Sequence, residues 1–308
     1  MIYLPVVKDL RVWQYDWVFI DECQDLNAAQ RNMFLKHVKQ NGRFVAVGDP
    51  HQAIYGFAGA DVESFNLLKN LPHTAKLPLS VCYRCDKNII ALAKTEVPQI
   101  EARDGADDGV VTYEAKMADV QDGDMILCRC SAPLVDLCMR YIANGVKAYV
   151  KGRDIGANLI NMVKKTKKTK INDLTAVFDR ELNRIIGKVI AKSHCTEKEA
   201  MESDAYIVYK DKVKAIEILS EGLVKCDDLI SRIETIFSDD SKNGICLSTV
   251  HKSKGLESDR VFIICPEKFL LKSCMQIPWM AEQEHNLQYV AYTRAKHYLG
   301  FINDFKTK

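Results

Sequence analysis

No stretch of the sequence approaches the ~20 uninterrupted apolar residues that a membrane-spanning helix needs. The segment Met1 to Val12 carries Lys8, Asp9 and Arg11 where a secretory signal needs an unbroken apolar run. The chain therefore reads as intracellular and cytoplasmic. A charge surplus is lacking too: 43 Lys and Arg stand against 41 Asp and Glu, a formal +2. That excludes a global field for polyanions, so any nucleic-acid surface has to be a local patch. A second cysteine pair at zinc-finger spacing is missing. The 11 cysteines are scattered and odd in number, with one C-x2-C (Cys82, Cys85) and one C-x-C (Cys128, Cys130). This pattern favours free buried thiols in a reducing compartment over disulfides, with a metal site on Cys82 and Cys85 a distant alternative. Repeats and low-complexity tracts are absent apart from Lys164 to Lys170, which reads as a solvated linker before it reads as a phosphate patch.

What is present is enough hydrophobic sequence, 47% of 308 residues, for two packed domains at ~150 residues each. Trp17-Val18-Phe19-Ile20 is a short apolar run ending abruptly in Asp21-Glu22, the pattern of a buried parallel strand that delivers carboxylates from its C-terminal end. Asn27 caps a predicted helix carrying Met33, Phe34 and Val38, and Arg43 to Val47 is a second strand running into Gly48-Asp49-Pro50. Helices are expected at Asp61–Leu71 and Asp86–Lys94, with a strand at Lys76–Leu79 between them. Strand and helix then alternate: Met125–Cys130, Leu134–Ala143 behind Ser131, Lys147–Val150 and Ala157–Lys165. From Asn172 to about Phe237 the periodicity is helical throughout, and strand signals return at Ile245–Leu247, Val261–Cys265 and His297–Phe301, the last after a helix at Glu282–Ala295.

The chemistry-bearing residues lie at the strand ends. An apolar strand followed by adjacent carboxylates suits nucleotide hydrolysis, one acid holding Mg²⁺ and the other polarising the attacking water; alone, such a pair is more often a solvated turn. Val47-Gly48-Asp49-Pro50-His51-Gln52-Ala53-Ile54-Tyr55-Gly56-Phe57-Ala58-Gly59-Ala60 adds glycines that permit tight turns and a neutral amide, Gln52, suited to sensing phosphate or water. Its aromatics Tyr55 and Phe57 read equally as base-stacking platforms and as core rings.

Asp21-Glu22-x-Gln24-Asp25 and the Gly48 to Ala60 segment resemble motifs II and III of UvrD/Rep-type superfamily 1 DNA helicases. Cys82-Tyr83-Arg84 is similar to motif IV, Leu247 to Glu257 to motif V, and Tyr289-Val290-Ala291-Tyr292-Thr293-Arg294-Ala295 to motif VI, in the family's order across residues 18–295. The resemblance implies an α/β fold of RecA-like parallel sheets flanked by helices. Residues 1–75 would end a first RecA-like domain, and 76–308 would form the second, with a helical insertion at about 166–240. It further implies ATP and Mg²⁺ as cofactors and single-stranded or partly duplex DNA as partner, with 3′ to 5′ movement. Asp21 would hold the metal, Glu22 would act as general base, and Arg84 and Arg294 would act as arginine fingers. Gln52 would link phosphate to the DNA surface, while Tyr83, Lys254, Gly255 and Glu257 would line the nucleotide, Tyr83 on adenine and Glu257 at the ribose. Tyr55, Phe57, Thr249 and His251 would follow the single strand.

The sequence departs from the family in one large respect. The phosphate cradle G-x-x-x-x-G-K-[ST] is absent, and the sole Gly-Lys dipeptide, Gly187-Lys188, lies in a helical pattern. The chain thus resembles a helicase without its N-terminal portion, and a further segment or a partner chain is expected to carry the cradle. The competing expectation is a non-catalytic DNA- or partner-binding remnant. Ala58 and Ser258 stand where the family usually has arginine and an aromatic.

Overall fold

The computed structural model describes residues 2–56, 59–61, 63–237, 244–270 and 272–305, with the side chains of residues 204, 272 and 273 left aside. A short helix α1 (Tyr3–Val7) precedes β1 (Tyr15–Ile20), whose alternation gives its two faces opposite fates. Val18 and Ile20 pack with Phe34, Phe44 and Leu68 in a small core, whereas Tyr15, Trp17 and Phe19 face outward. Helix α2 (Ala28–Lys36) starts from a reciprocal cap in which Asn27 and Gln30 each bond the other's backbone N–H at 2.8 Å. Val38 is not on that helix: it opens β2 (Val38–Ala46), because parallel pairing with β1 claims it opposite Tyr15. Helix α3 (Ser64–Lys69) is shorter than its pattern, since Asp61 is held outside it by Arg31 at 2.5 Å.

Residues 76–79 form no strand. Leu77 and Leu79 are fully outward, and pairing begins only at β3 (Val81–Cys82), parallel to β4 (Glu101–Ala102), with helix α4 (Lys87–Ala93) between. The main sheet follows, built from β5 (Val110–Thr112), β6 (Met125–Cys128), β7 (Ala148–Lys151), β8 (Ile245–Thr249), β9 (Ser258–Ile264) and β10 (Ala295–Ile302). Its order is β5-β10-β9-β6-β8-β7, parallel throughout. β6 and β8 are buried on both faces, as their unbroken apolar sequences require. Alternation divides the core: Ile126, Leu247, Phe262 and Ile264 point one way, Met125, Leu127, Val261 and Ile263 the other.

The first side is covered by α5 (Ala132–Ala143), α6 (Arg153–Lys165), α9 (Asp204–Ser220) and α10 (Cys226–Ile236). Between them, α7 (Thr175–Ser193) and α8 (Glu197–Met201) add a satellite cluster with α9 around Ile186, Ala200 and Tyr206. The helical segment is thus continuous with the sheet's own core through Ile216, Leu219, Leu229 and Ile233. The opposite side is covered by α4 and α13 (Pro278–Tyr292), reached after α11 (Val250–Ser253) and α12 (Lys272–Met275). α13 stops at Tyr292, short of its predicted end, because Ala295 already pairs with Ser258. This is the RecA-like α/β architecture, with both carboxylate-bearing and arginine-bearing turns at strand ends. Among the described residues no helix is long and apolar enough to cross a membrane.

Candidate nucleotide site

β1 ends in a strained turn. Glu22 adopts φ +51, a left-handed conformation costly for a residue with a Cβ, and residues 23–25 make a single 3₁₀ turn that returns Asp25 beside it. The buried Gln24 amide donates to Glu22 Oε2 at 2.5 Å, and its oxygen accepts from Asp49 N at 3.1 Å, tying the ends of β1 and β2 together. Gly48 makes this approach possible: a Cβ there would lie 2.5 Å from Gln24 Oε1. Gln52 is oriented from the same turn, its amide donating to Asp49 Oδ2 at 2.9 Å. Asp21 keeps an exposed carboxylate whose Oδ1 accepts from Glu22 N.

Lys254 comes to this turn from the main sheet. Thr249 caps α11 by accepting from Lys252 N, and Gly255, at φ +83, turns the chain away after Lys254. Lys254 Nζ lies 2.5 Å from Asp25 Oδ2, 3.1 Å from Glu22 Oε2 and 3.0 Å from the Gln52 carbonyl, over the ring of Tyr55. The Tyr55 hydroxyl donates to the His251 carbonyl at 2.9 Å. Burial works against the Glu22 carboxylate, but the Lys254 and Gln24 hydrogen bonds and the charges of Lys254 and Arg294 outweigh it and lower its pKa. Asp25 moves the opposite way, raised by burial despite Lys254, and its Oδ1 is buried with no hydrogen-bond partner.

A second cluster adjoins the first, close enough for Arg294 to act on Glu22. Arg84 Nε donates to Glu257 Oε2 at 2.7 Å and its Nη1 to the Thr293 carbonyl at 3.2 Å; Lys296 holds the other Glu257 oxygen at 3.1 Å. These partners lower the Glu257 pKa, the Lys296 hydrogen bond most. Arg294 is 1% exposed and spends its guanidinium on Val290 O, Leu256 O and Thr293 Oγ1. Burial and neighbouring Arg84 lower its pKa to about 10. Tyr83 stands beside them 79% exposed, an open ring face.

The expected residues thus fall into two adjoining groups, Asp21, Glu22, Gln52, Tyr55 and Lys254 in one, Tyr83, Arg84, Glu257 and Arg294 in the other. Thr249 is buried as a helix cap, and His251 is packed so that burial, then the charges of Arg129 and Lys252, push its pKa down to about 3. Phe57 and Ala58 lie outside the described residues. In sequence, Gln24 and Asp25 stand out only as part of the motif II resemblance, with no role of their own, and Asn286 does not stand out at all. Asn286 donates to the carbonyls of Pro50 and Ala53, fastening α13 to the Gln52 turn. For Asp25 the signal was its spacing, three residues past Glu22 and so one 3₁₀ turn away.

Residues 5–73 match the family model of the UvrD/REP helicase N-terminal domain, and residues 228–304 match that of the UvrD-like helicase C-terminal domain. F-box DNA helicase protein 1 of Schizosaccharomyces pombe is 26% identical over 96% of this chain and 34% of its own length. F-box DNA helicase 1 of Gallus gallus is 26% identical over 93% and 30% respectively, so the chain spans no more than 34% of either relative's length. DNA helicase II of Escherichia coli is 28% identical over 133 residues, 43% of this chain and 17% of its own length.

Proposed function

The chain belongs to the UvrD/Rep-type family of superfamily 1 helicases, and on that premise we propose that it is the portion of an intracellular, ATP-dependent DNA helicase that couples hydrolysis to 3′ to 5′ movement along a single strand. In this reading residues 1–75 close the first RecA-like domain and 76–308 form the second, with the insertion at about 166–240. The observation that carries it is Lys254, from the second sheet, lodged between Glu22 and Asp25 of the first. The nucleotide would sit where the two carboxylate- and arginine-bearing turns meet.

The residues present fit part of a bound ATP and Mg²⁺. The exposed Asp21 carboxylate and the unpartnered Asp25 Oδ1 suit a hard cation, which when bound would neutralise charge on the transferred phosphoryl group. Glu22, kept ionised by its low pKa, is placed to accept a proton from an attacking water. Arg84, released from Glu257, would reach the phosphates; the buried Arg294 would act as a fixed positive field beside Glu22. Tyr83 offers its open face to adenine, and Glu257, freed by the same release, its carboxylate to the ribose. Gln52 and Tyr55 connect this centre to His251 and the strand track. The phosphate cradle is not among these residues.

A second reading, a binding module without turnover, draws on the same gap. β1 is unpaired on its outer edge among the described residues, and its outward aromatics are bare. In the enzyme reading a segment or partner chain carrying the cradle would add a strand there; in the module reading none does. The test is ATP hydrolysis by the purified chain, with and without single-stranded DNA, beside Glu22→Gln. DNA-stimulated turnover removed by the substitution supports the enzyme. Turnover indifferent to Glu22→Gln overturns the assignment of the base, and DNA binding without turnover supports the module.

A further inference from the structure

We propose that Cys82 and Cys85 are an oxidisable pair, and that a hydroperoxide converts them to an intramolecular disulfide that locks the Tyr83-Arg84 turn. The chain folds so as to hold both sulfurs from opposite ends of that turn. Cys82 closes β3, pinned through its pairing with Ala102 and by Arg103 N bonding its carbonyl at 3.2 Å. Cys85 immediately precedes Asp86, whose N–H bonds the Lys296 carbonyl at 2.9 Å, and its thiol lies 3.7 Å from the Thr293 carbonyl. The two side chains stand three residues apart at the ends of this turn, near enough for each to shift the other's ionisation. Cys82 is partly open to solvent while Cys85 is 1% exposed beneath it, an arrangement of an attacking and a resolving thiol.

The neighbouring Cys85, with backbone N–H groups and the Arg84 charge, brings the Cys82 thiol down to about 5, so the thiolate is present at neutral pH; Cys85 is correspondingly raised. Among the described residues no group of three or more His, Cys, Asp or Glu is arranged to hold a metal ion, which leaves the pair without the further ligands zinc requires. Another sulfur pair, Cys128 with Cys265, is buried on both sides and serves as an internal comparison.

The chemistry balances in two steps. The Cys82 thiolate attacks the terminal oxygen of the hydroperoxide, the O–O bond breaks, and the departing alkoxide or hydroxide takes a proton from water, leaving Cys82 as sulfenic acid. Cys85 then attacks the Cys82 sulfur; hydroxide leaves and takes the Cys85 proton as water, so the peroxide has accepted both electrons. Oxidation removes the S–H that the Thr293 carbonyl faces and shares with Arg84, and it joins the two ends of the turn that carries Tyr83 and Arg84. That this lock regulates nucleotide binding rests on the function proposed above; the disulfide itself does not.

The experiment treats the full chain with limiting hydrogen peroxide, alkylates the remaining thiols, and maps disulfides by mass. A Cys82–Cys85 link formed before any other, sulfenic acid trapped at Cys82 in Cys85→Ser, and none trapped in Cys82→Ser are the expected results. Trypsin cleavage after Arg84 should slow tenfold or more in the oxidised chain and recover on reduction. The proposal is overturned if Cys82 and Cys85 stay alkylatable while other thiols oxidise, or if cleavage at Arg84 is equally fast in both states. Absence of fluorescent-ATP binding in both states would instead count against the nucleotide-site reading.

Discussion

Arg84 Nε sits 2.7 Å from Glu257 Oε2, an ion pair between the turn after β3 and the turn before β9, with both side chains partly open to solvent. Such a pair contributes ~0–1 kcal/mol, because water screens it and two long side chains must be ordered. Its place is therefore in positioning. Glu257→Ala should change stability by less than ~1 kcal/mol in urea unfolding while freeing Arg84 and weakening nucleotide binding. A loss of several kcal/mol would make the pair structural and remove it from the site.

Arg294 should behave in the opposite way. All three guanidinium nitrogens are hydrogen-bonded, two to buried acceptors and one to the part-buried Leu256 carbonyl, so Arg294→Ala strands those acceptors and opens a void, a cost of roughly 3–5 kcal/mol. Arg84→Ala should cost ~1 kcal/mol or less. Urea midpoints for the two variants separate the roles. Equal midpoints would mean that Arg294 is no more structural than Arg84, and only then would its loss of activity report chemistry alone.

These contrasts mark what sequence could show. The strand that ends in Asp21-Glu22 and the apolar strand that carries Ile126 and Leu127 follow from local apolar pattern and were legible. The failures at Val38 and at Lys76–Leu79 have one cause: pairing partners, present for Val38 and absent for residues 76–79, decide strand formation, and a single sequence does not display them. Motif order identified Arg294 without revealing that it is buried, because burial depends on how α13 meets β10. Lys254 and Asp25 are 229 residues apart, and only the fold brings them into contact.

His251 makes acid sensitivity specific. Its folded pKa of about 3 lies below the ordinary 6.5, so the unfolded chain binds a proton that the folded chain refuses. Stability is complete above pH 6.5 and declines as pH falls from 6.5 toward 3, by ~1.4 kcal/mol per unit. Glu22, lowered from 4.5, adds a loss of the same sign and Asp25, raised from 3.8, one of opposite sign, both near or below about pH 5. Between about pH 7.5 and 5, His251→Asn should therefore recover ~2 kcal/mol of the acid-induced loss. Urea midpoints at the two pH values check this, and parallel behaviour of variant and parent would show that His251 is protonated in the folded chain.

The outward face of β1 bears on the point that divides the two readings of function, whether a cradle-bearing segment has a seat on this chain. Trp17 and Phe19 stack at 6.1 Å between ring centroids, with Arg43 over Trp17, and Phe19 is 70% exposed. One residue along, Val18 points into the core beside Phe34 and Phe44. A side chain's face alternates with every residue of a strand, so neighbouring substitutions should diverge. Phe19→Lys should cost ~1 kcal/mol or less and abolish binding of an apolar dye and any self-association by light scattering. Val18→Lys places a charge in the core and should unfold this part of the chain. If Phe19→Lys destabilises as much as Val18→Lys, the aromatic face is already covered in the protein and offers no seat for a cradle-bearing segment; if it does not, that face is free to receive one.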